Sequence, residues 1–70
     1  MKIKNLVITL LLVVGFATYI DDNEIIVEYK KGAITKTSKV SRDMSVCIPR
    51  VGQKVFFYKN YKIVECVESI

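Results

Sequence analysis

The sequence predicts an all-β domain, a small meander of about five strands, preceded by an apolar N-terminal helix. Three observations support this prediction. Residues 5–20 contain no charged side chain, most of the remaining chain alternates apolar and polar residues as strands do, and Gly32 and Gly52 mark turns. We therefore divide the chain into an N-terminal membrane anchor or signal peptide (residues 1–20) and a small β domain (residues 21–70).

The apolar run has the flanking charges of a membrane-directed segment. Lys2 and Lys4 precede it, and a group of acidic residues follows it at once. As a helix it would be roughly 24 Å long, slightly less than the ~30 Å hydrocarbon core of a bilayer. We expect a single membrane anchor through residues 5–20, with the C-terminal domain outside, in the periplasm or the extracellular space. The alternatives are secretion after signal cleavage near Ala17, and a buried strand or core helix of a soluble protein.

An alternating segment just after the apolar run predicts the first hairpin. Its odd-numbered residues are apolar and would share one face of a strand. If Lys31 and Gly32 form a two-residue turn, Tyr29 faces Ile34 across the hairpin. The returning strand, residues 33–40, is rich in Ser and Thr, as is typical of a solvated edge strand.

A short strand over residues 44–48 and a second hairpin complete the predicted fold. Residues 49–52 include the only proline of the chain and a glycine, which predict a turn. Residues 53–58 and 61–67 would then pair with each other. Adjacent apolar residues in both strands would place apolar groups on both faces. The hairpin is therefore expected at the centre of the core or covered on both sides, and a β-bulge around residues 64–66 is the alternative.

One segment resembles a known family. Residues 48–55 (Ile-Pro-Arg-Val-Gly-Gln-Lys-Val), followed by residues 61–64 (Tyr-Lys-Ile-Val), are similar to the Pro-Arg-Val-Gly-Asp-x-Val and Tyr-x-Val pattern of small SH3-like barrel proteins of bacteria and their phages. The resemblance covers residues 48–67, and Gln53 stands where the pattern usually has Asp. It implies an SH3-like barrel or half-barrel and carries no functional residues across, because such barrels have many unrelated functions.

The chain lacks the residue patterns of common catalytic and metal sites. It has no His, the commonest general base and metal ligand, and neither a Gly-x-Ser-x-Gly motif nor a Gly-rich phosphate loop. The acidic residues after the apolar run lack the ligand spacing and the Gly of a calcium-binding loop. We therefore predict a protein that is not an enzyme, with no catalytic residue, no metal site and no cofactor.

Cys47 and Cys66 are the only cysteines and form a candidate disulfide. A domain of about fifty residues buries little surface, and a bridge between them would stabilise it by roughly 3 kcal/mol in the chain-entropy model. The bridge is expected in an oxidising compartment, whereas in the cytosol the two thiols would be unpaired small hydrophobes. In the predicted strand Cys47 points away from the apolar side, so the bridge also needs the bulge to turn Cys66 towards it.

A basic segment, residues 30–42, contains no acidic side chain. Its five cations are Lys30, Lys31, Lys36, Lys39 and Arg42. They are candidate contacts for an anionic partner, which would be lipid headgroups, an acidic protein or nucleic acid. The alternative is that they keep an edge strand soluble and unpaired. Five strand aromatics could form a base-stacking platform, but aromatic residues in strands more often lie in the core. They are Tyr29, Phe56, Phe57, Tyr58 and Tyr61.

Together these features predict a non-enzymatic, membrane-anchored or exported β-domain protein, which acts as a protein-binding or accessory factor at the cell envelope. Its partners would be the membrane, through residues 5–20, and another protein; an oligomer is compatible with the sequence. The alternative is a soluble SH3-like or OB-like nucleic-acid-binding protein, with the apolar N-terminus buried in its core or in an oligomer. We do not expect nucleic acid, because Lys2 and Lys4 supply half of the net charge of +4.

Overall fold

A computed structural model describes residues 11–68 as one antiparallel β-sheet. The five strands are β1 (Leu12–Ile20), β2 (Glu24–Lys31), β3 (Ile34–Ser41), β4 (Lys54–Tyr58) and β5 (Lys62–Cys66). They lie in the order β3-β2-β1-β4-β5, and the described residues contain no helix. The predicted all-β class is confirmed, and the sheet has five strands as predicted, although β1 takes the place of the strand expected over residues 44–48. The strands do not form a simple meander, because the chain crosses from β3 at one edge to β4 on the other side of β1.

Residues 12–20 form the central strand, where a helix was expected. β1 pairs with β2 on one side and with β4 on the other, so its backbone is hydrogen-bonded within the sheet. A central strand accepts an uncharged sequence, and here Gly15 and Ala17 are buried on one face. The helix prediction is thus wrong for residues 12–20, and residues 5–10 lie outside the described part. Between residues 11 and 68 no helix is long and apolar enough to cross a membrane.

The first hairpin turns one residue later than predicted. Its two-residue loop begins at Gly32, and Lys31 lies opposite Ile34. Tyr29 consequently faces Lys36 instead of Ile34. Gly32 has a backbone φ of 64°, a conformation that favours glycine. Because the pairing shifts by two residues and side chains alternate with period two, each face of the hairpin keeps its predicted side chains.

The second hairpin is confirmed, and of the two arrangements left open for its apolar doublets the structure has the β-bulge. The pairing of β4 with β5 shifts between Phe56 and Phe57, which leaves Val64 as an extra residue of β5. The bulge lies where it was expected and lets both strands carry adjacent apolar residues. Beyond the bulge, Cys66 comes opposite the buried Val55 and packs against the core.

The predicted strand over residues 44–48 is wrong, because this part of the β3–β4 connection is a series of turns. The hydroxyl of Ser45 accepts a hydrogen bond from the backbone N–H of Ile63 at 2.9 Å and donates to the carbonyl of Ser41 at 2.6 Å. The backbone N–H of Val46 donates to the carbonyl of Ile63 at 3.0 Å. These bonds fold the connection against β5, because side-chain hydrogen bonds to the backbone compete with an extended conformation.

The core lies on one face of the sheet, which we call the inner face. Its buried apolar residues are Ala17, Ile25, Val27, Tyr29, Val40, Val55, Phe57 and Ile63. They come from all five strands, so β1 contributes to the same core as the rest of the sheet. The edge strands approach each other, since the N–H of Ser41 donates to the carbonyl of Tyr61 at 2.7 Å and the N–H of Asn60 donates to the Ser38 hydroxyl at 2.8 Å. The sheet therefore curves around its core, and its other face, the outer face, is convex.

Candidate functional site

The outer face of β1 carries a row of exposed apolar side chains, which we call the apolar row. Leu12, Val14 and Phe16 are 54%, 45% and 51% exposed. They alternate with the buried Gly15 and Ala17, because successive residues of a strand point to opposite faces. A contiguous apolar strip in the middle of a sheet, uncovered by any described part of the chain, is typical of a contact surface.

Two aromatic residues of β4 widen the apolar row. Phe56 pairs with Val14, and Tyr58 pairs with Leu12, so both aromatic side chains point to the outer face. Tyr58 also stacks on Tyr61, with the ring centroids 6.3 Å apart. The outer face therefore offers an apolar surface two strands wide, with rigid rings that suit packing against another protein surface.

Opposite charges flank Phe16 on the outer face. Glu28 of β2 pairs with Phe16 on one side, and Lys54 of β4 pairs with it on the other. Both charged side chains are exposed. Because neighbouring strands lie about 4.8 Å apart, the anion and the cation are at similar distances from the apolar row.

The five cations predicted to contact an anionic partner do not share one face. Lys30 and Lys39 lie on the outer face of the sheet, whereas Lys31 and Lys36 lie on the same side as the buried Tyr29. Side chains on opposite faces cannot contact one flat ligand together. The basic segment of the sequence is therefore not a single site.

Two of the five cations have partners near the β1–β2 connection. The Lys39 ammonium lies 3.9 Å from a carboxylate oxygen of Glu24. The Arg42 guanidinium donates to the carbonyl of Asp21 at 2.9 Å, and the Arg42 backbone N–H donates to the carbonyl of Asn23 at 3.2 Å. Arg42 thus helps to hold the end of β3 against the β1–β2 connection.

Two lysines of the second hairpin, Lys59 and Lys62, lie against tyrosine rings. The Lys59 ammonium lies 5.8 Å from the ring centroid of Tyr29, the residue that pairs with Lys36. The Lys62 ammonium lies 5.1 Å from the ring centroid of Tyr61. Sequence reasoning did not indicate these two contacts, because both lysines lie outside the basic segment of residues 30–42.

Cys47 and Cys66 lie at disulfide distance on the inner face, with their Sγ atoms 2.07 Å apart and their Cα atoms 6.2 Å apart. In the predicted strand over residues 44–48, Cys47 would have pointed away from the core. Because these residues form turns instead, Cys47 packs against the core, and the bulge at Val64 directs Cys66 towards it. The pair connects the long β3–β4 connection to β5.

The aromatic residues divide between the core and the surface. Tyr29 and Phe57 are buried and meet edge to face, with ring centroids 5.7 Å apart. Neither ring is free to stack on a base. Phe56, Tyr58 and Tyr61 are half-buried, so the five predicted aromatics do not form one platform.

A shallow depression of about 300 Å³ lies at the turn before β4 and is lined by Arg50, Val51, Gly52 and Gln53. Gln53 accepts a hydrogen bond from the Arg50 N–H at 2.9 Å and donates to the carbonyl of Val67 at 3.0 Å. Its amide therefore holds the turn, at the position where the SH3-like pattern has Asp. Within residues 11–68 no group of three or more His, Cys, Asp or Glu residues could hold a metal ion.

The fold and its surfaces define a class of protein, a single-sheet β domain with its core on one face and an exposed apolar row on the other. Comparisons with protein-family models, curated proteins and solved structures gave no match to this chain. The described surface that best supports a function is the apolar row.

Proposed function

We propose that this protein is a non-enzymatic accessory protein of the cell envelope, exported or attached to the membrane, which binds protein through the outer face of its sheet. The observation that carries the proposal is the apolar row of Leu12, Val14 and Phe16, about half exposed in the middle of the sheet. Covering the row would remove apolar area from water, at roughly 25 cal/mol per Å². In the free domain it adds nothing to the core.

We also propose that the domain is an SH3-like half-barrel. The approach of β3 to β5 at Ser41 and Tyr61 and the resemblance of residues 48–67 support this interpretation. A half-barrel of this kind keeps its core inside the curve, so the central strand presents its other side to a partner.

The partner that the outer face fits best is a second copy of the chain. A two-fold axis parallel to β1 would place Phe16 of the two copies against each other and would exchange the β2 side with the β4 side. Glu28 of each copy would then face Lys54 of the other. Sheets that pack face to face lie about 10 Å apart, a gap that these long side chains can span. The surface is thus self-complementary in charge.

We expect a weak dimer, because one face of a small sheet offers less than the roughly 800 Å² per partner of a standard interface. Sedimentation velocity of the full chain over a concentration series should show a monomer–dimer equilibrium. Phe16→Glu would bury a carboxylate at the centre of the contact and should weaken dimerisation by about 30-fold or more. Val51→Glu, a substitution at an exposed apolar residue of the turn before β4, is the matched control and should leave the equilibrium unchanged.

A charge exchange tests the geometry of this dimer. Glu28→Lys alone and Lys54→Glu alone should each weaken the dimer, because like charges would then face each other. The double variant should restore the parent affinity, since the opposite charges are only exchanged. A chain that is monomeric at every concentration, or a double variant that stays as weak as the single ones, would exclude the outer face as a contact between copies.

Location at the envelope is supported by the cysteine pair, which suits an oxidising compartment. In a chain folded around β1, residues 12–20 are not available to span a bilayer, because taking them out of the sheet would separate β2 from β4.

A reporter that is active only outside the cytoplasm, fused after Ile70, should be active. Activity of a cytoplasmic reporter alone at the same junction would end the proposal of export and would leave the dimer experiment unaffected.

A further inference from the structure

The first half of β3 lies at an open edge of the sheet. β3 pairs with β2 on one side, and on its other side the second hairpin turn bonds to it at Ser38 and Ser41. Residues 34–37, which we call the free edge, come before this contact and are exposed. An exposed edge strand is a template for a further strand, because its outward backbone groups remain available for pairing.

The outward backbone groups of the free edge belong to Thr35 and Thr37. In an antiparallel pair, residues that bond to the neighbouring strand alternate with residues that point away from it. Ser41 points away from β2, because its N–H donates to the carbonyl of Tyr61 at 2.7 Å. Thr35 and Thr37 lie an even number of residues before Ser41, so their N–H and C=O groups also point away from β2. Within residues 11–68 these groups have no hydrogen-bond partner.

A second copy of the chain fits this edge poorly. A two-fold axis that pairs Thr35 of one copy with Thr37 of the other places Lys36 directly opposite its own counterpart. Like charges directly opposite each other in neighbouring strands are destabilising. The second hairpin turn blocks pairing further along β3, since Ser38 is buried and accepts a hydrogen bond from the backbone N–H of Asn60 at 2.8 Å. The edge therefore favours a different chain.

Positive charge lies on the inner side of the free edge. Lys36 is exposed and pairs with Tyr29, which points to the inner face. The Lys59 ammonium lies 5.8 Å from the Tyr29 ring centroid, so it supplies a second cation on this side. The acidic residues of β2, Glu24 and Glu28, lie an odd number of positions from Tyr29 and so point to the outer face. A carboxylate of a guest strand opposite Lys36 would therefore face cations, with both of these acids on the other side of the sheet.

We propose that the free edge binds an extended acidic segment of another protein by β-strand addition, with a carboxylate opposite Lys36 and an apolar residue opposite Ile34. Main-chain bonds to Thr35 and Thr37 hold the segment, and its alternate side chains give the selectivity. Ile34 is 62% exposed, so an apolar residue two positions from the acid covers its side chain. The inference goes beyond the proposed function, because this edge is separate from the apolar row of β1 and needs no dimer.

The test is a titration of the isotope-labelled full chain, followed by amide NMR, with the capped peptide Thr-Glu-Thr-Val-Thr. Antiparallel to β3, this peptide places its Glu opposite Lys36 and its Val opposite Ile34. Binding should shift the amide signals of Thr35 and Thr37 and slow their hydrogen exchange. The same peptide with Lys in place of Glu should bind at least about threefold more weakly, since a like charge then faces Lys36.

Thr37→Pro tests the backbone contact, because it removes an outward N–H and no bond to β2. It should weaken binding of the acidic peptide by about tenfold or more. The matched control Thr37→Val keeps this N–H and should bind within about twofold of the parent. An unchanged melting curve should confirm that the proline variant folds.

Lys36→Glu tests the charge contact without a change of backbone. It should reverse the preference, so that the peptide with Lys binds more tightly than the peptide with Glu. Phe16→Glu should bind the acidic peptide as the parent does, which separates this proposal from the dimer. Equal binding of both peptides by the parent, a preference that Lys36→Glu does not reverse, or amide shifts confined to the outer face would overturn the proposal.

Discussion

Replacing Gly15 with alanine should destabilise the protein strongly, although the change adds a single methyl group. A Cβ at this position would overlap the backbone carbonyl oxygen of Glu28 and would lie 2.9 Å from Cγ1 of Val27 and 3.1 Å from the ring of Phe57. The obstructing carbonyl belongs to the neighbouring strand, so β1 and β2 would have to separate. Overpacking of a core costs about 1–3 kcal/mol, and a clash with backbone lies at the top of this range.

The loss would be large relative to the total stability of the domain. At roughly 0.05–0.15 kcal/mol per residue, about sixty residues give a free energy of unfolding of only about 3–9 kcal/mol. Urea denaturation followed by far-UV circular dichroism should therefore show a much lower midpoint for Gly15→Ala. Val14→Ile is the matched control, because it adds a methylene to the exposed side of the same strand and should change stability by less than about 0.5 kcal/mol.

The same substitution separates the two structures that residues 12–20 could adopt. In a membrane or core helix, alanine is better than glycine by about 1 kcal/mol, so Gly15→Ala would be neutral or stabilising. In β1 it is strongly destabilising. An unchanged or raised urea midpoint would show that these residues do not form the centre of the sheet.

Hydropathy alone cannot distinguish a central β-strand from a membrane helix in the apolar run. A central strand with its core on one face and an apolar row on the other is as uncharged as a membrane helix. A weak signal for the strand was present, because the small residues Gly15 and Ala17 alternate with the bulky Val14 and Phe16. Pairing with β2 and β4, which is non-local, decides the conformation, and no local pattern of residues 12–20 contains that information.

Local patterns were sufficient for the hairpins and insufficient for the connection between them. Alternation and turn residues predicted β2, β3, β4 and β5 to within one or two residues, and the apolar doublets indicated the bulge at Val64 as one of two arrangements. Residues 44–48 also alternate, yet the hydroxyl of Ser45 bonds to the backbone of Ser41 and Ile63 and prevents an extended strand. The contacts of Lys59 with Tyr29 and of Ser41 with Tyr61 join segments that are far apart in the sequence, so no local pattern indicates them.

The β3–β4 connection packs against the inner face of the sheet and has no strand pairing of its own. Residues 42–53 are held by a few backbone bonds, such as those from the N–H of Val46 to Ile63 and from the N–H of Gly52 to the carbonyl of Ala17 at 2.7 Å. Cys47 lies in this connection and Cys66 in β5, and both pack against the core. A covalent bond between them would keep the connection on the inner face when these hydrogen bonds open.

Removal of the bridge should therefore lower stability markedly. The two cysteines are 19 residues apart in the sequence, and closing a loop of this length stabilises by roughly 3 kcal/mol in the chain-entropy model. The double variant Cys47→Ser with Cys66→Ser should melt well below the parent. Dithiothreitol should lower the melting temperature of the parent towards that of the variant and leave the variant unchanged, which separates loss of the bond from loss of side-chain packing.

A second, independent measurement tests the disulfide. Protein recovered from outside the cytoplasm and alkylated without reduction should carry no label at Cys47 or Cys66 by mass spectrometry, since both sulfurs would be bonded. Two labelled cysteines would exclude the disulfide in that compartment. The connection over the inner face would then rest on its hydrogen bonds and on the burial of Pro49 alone, and the chemical argument for export would be lost with the bond.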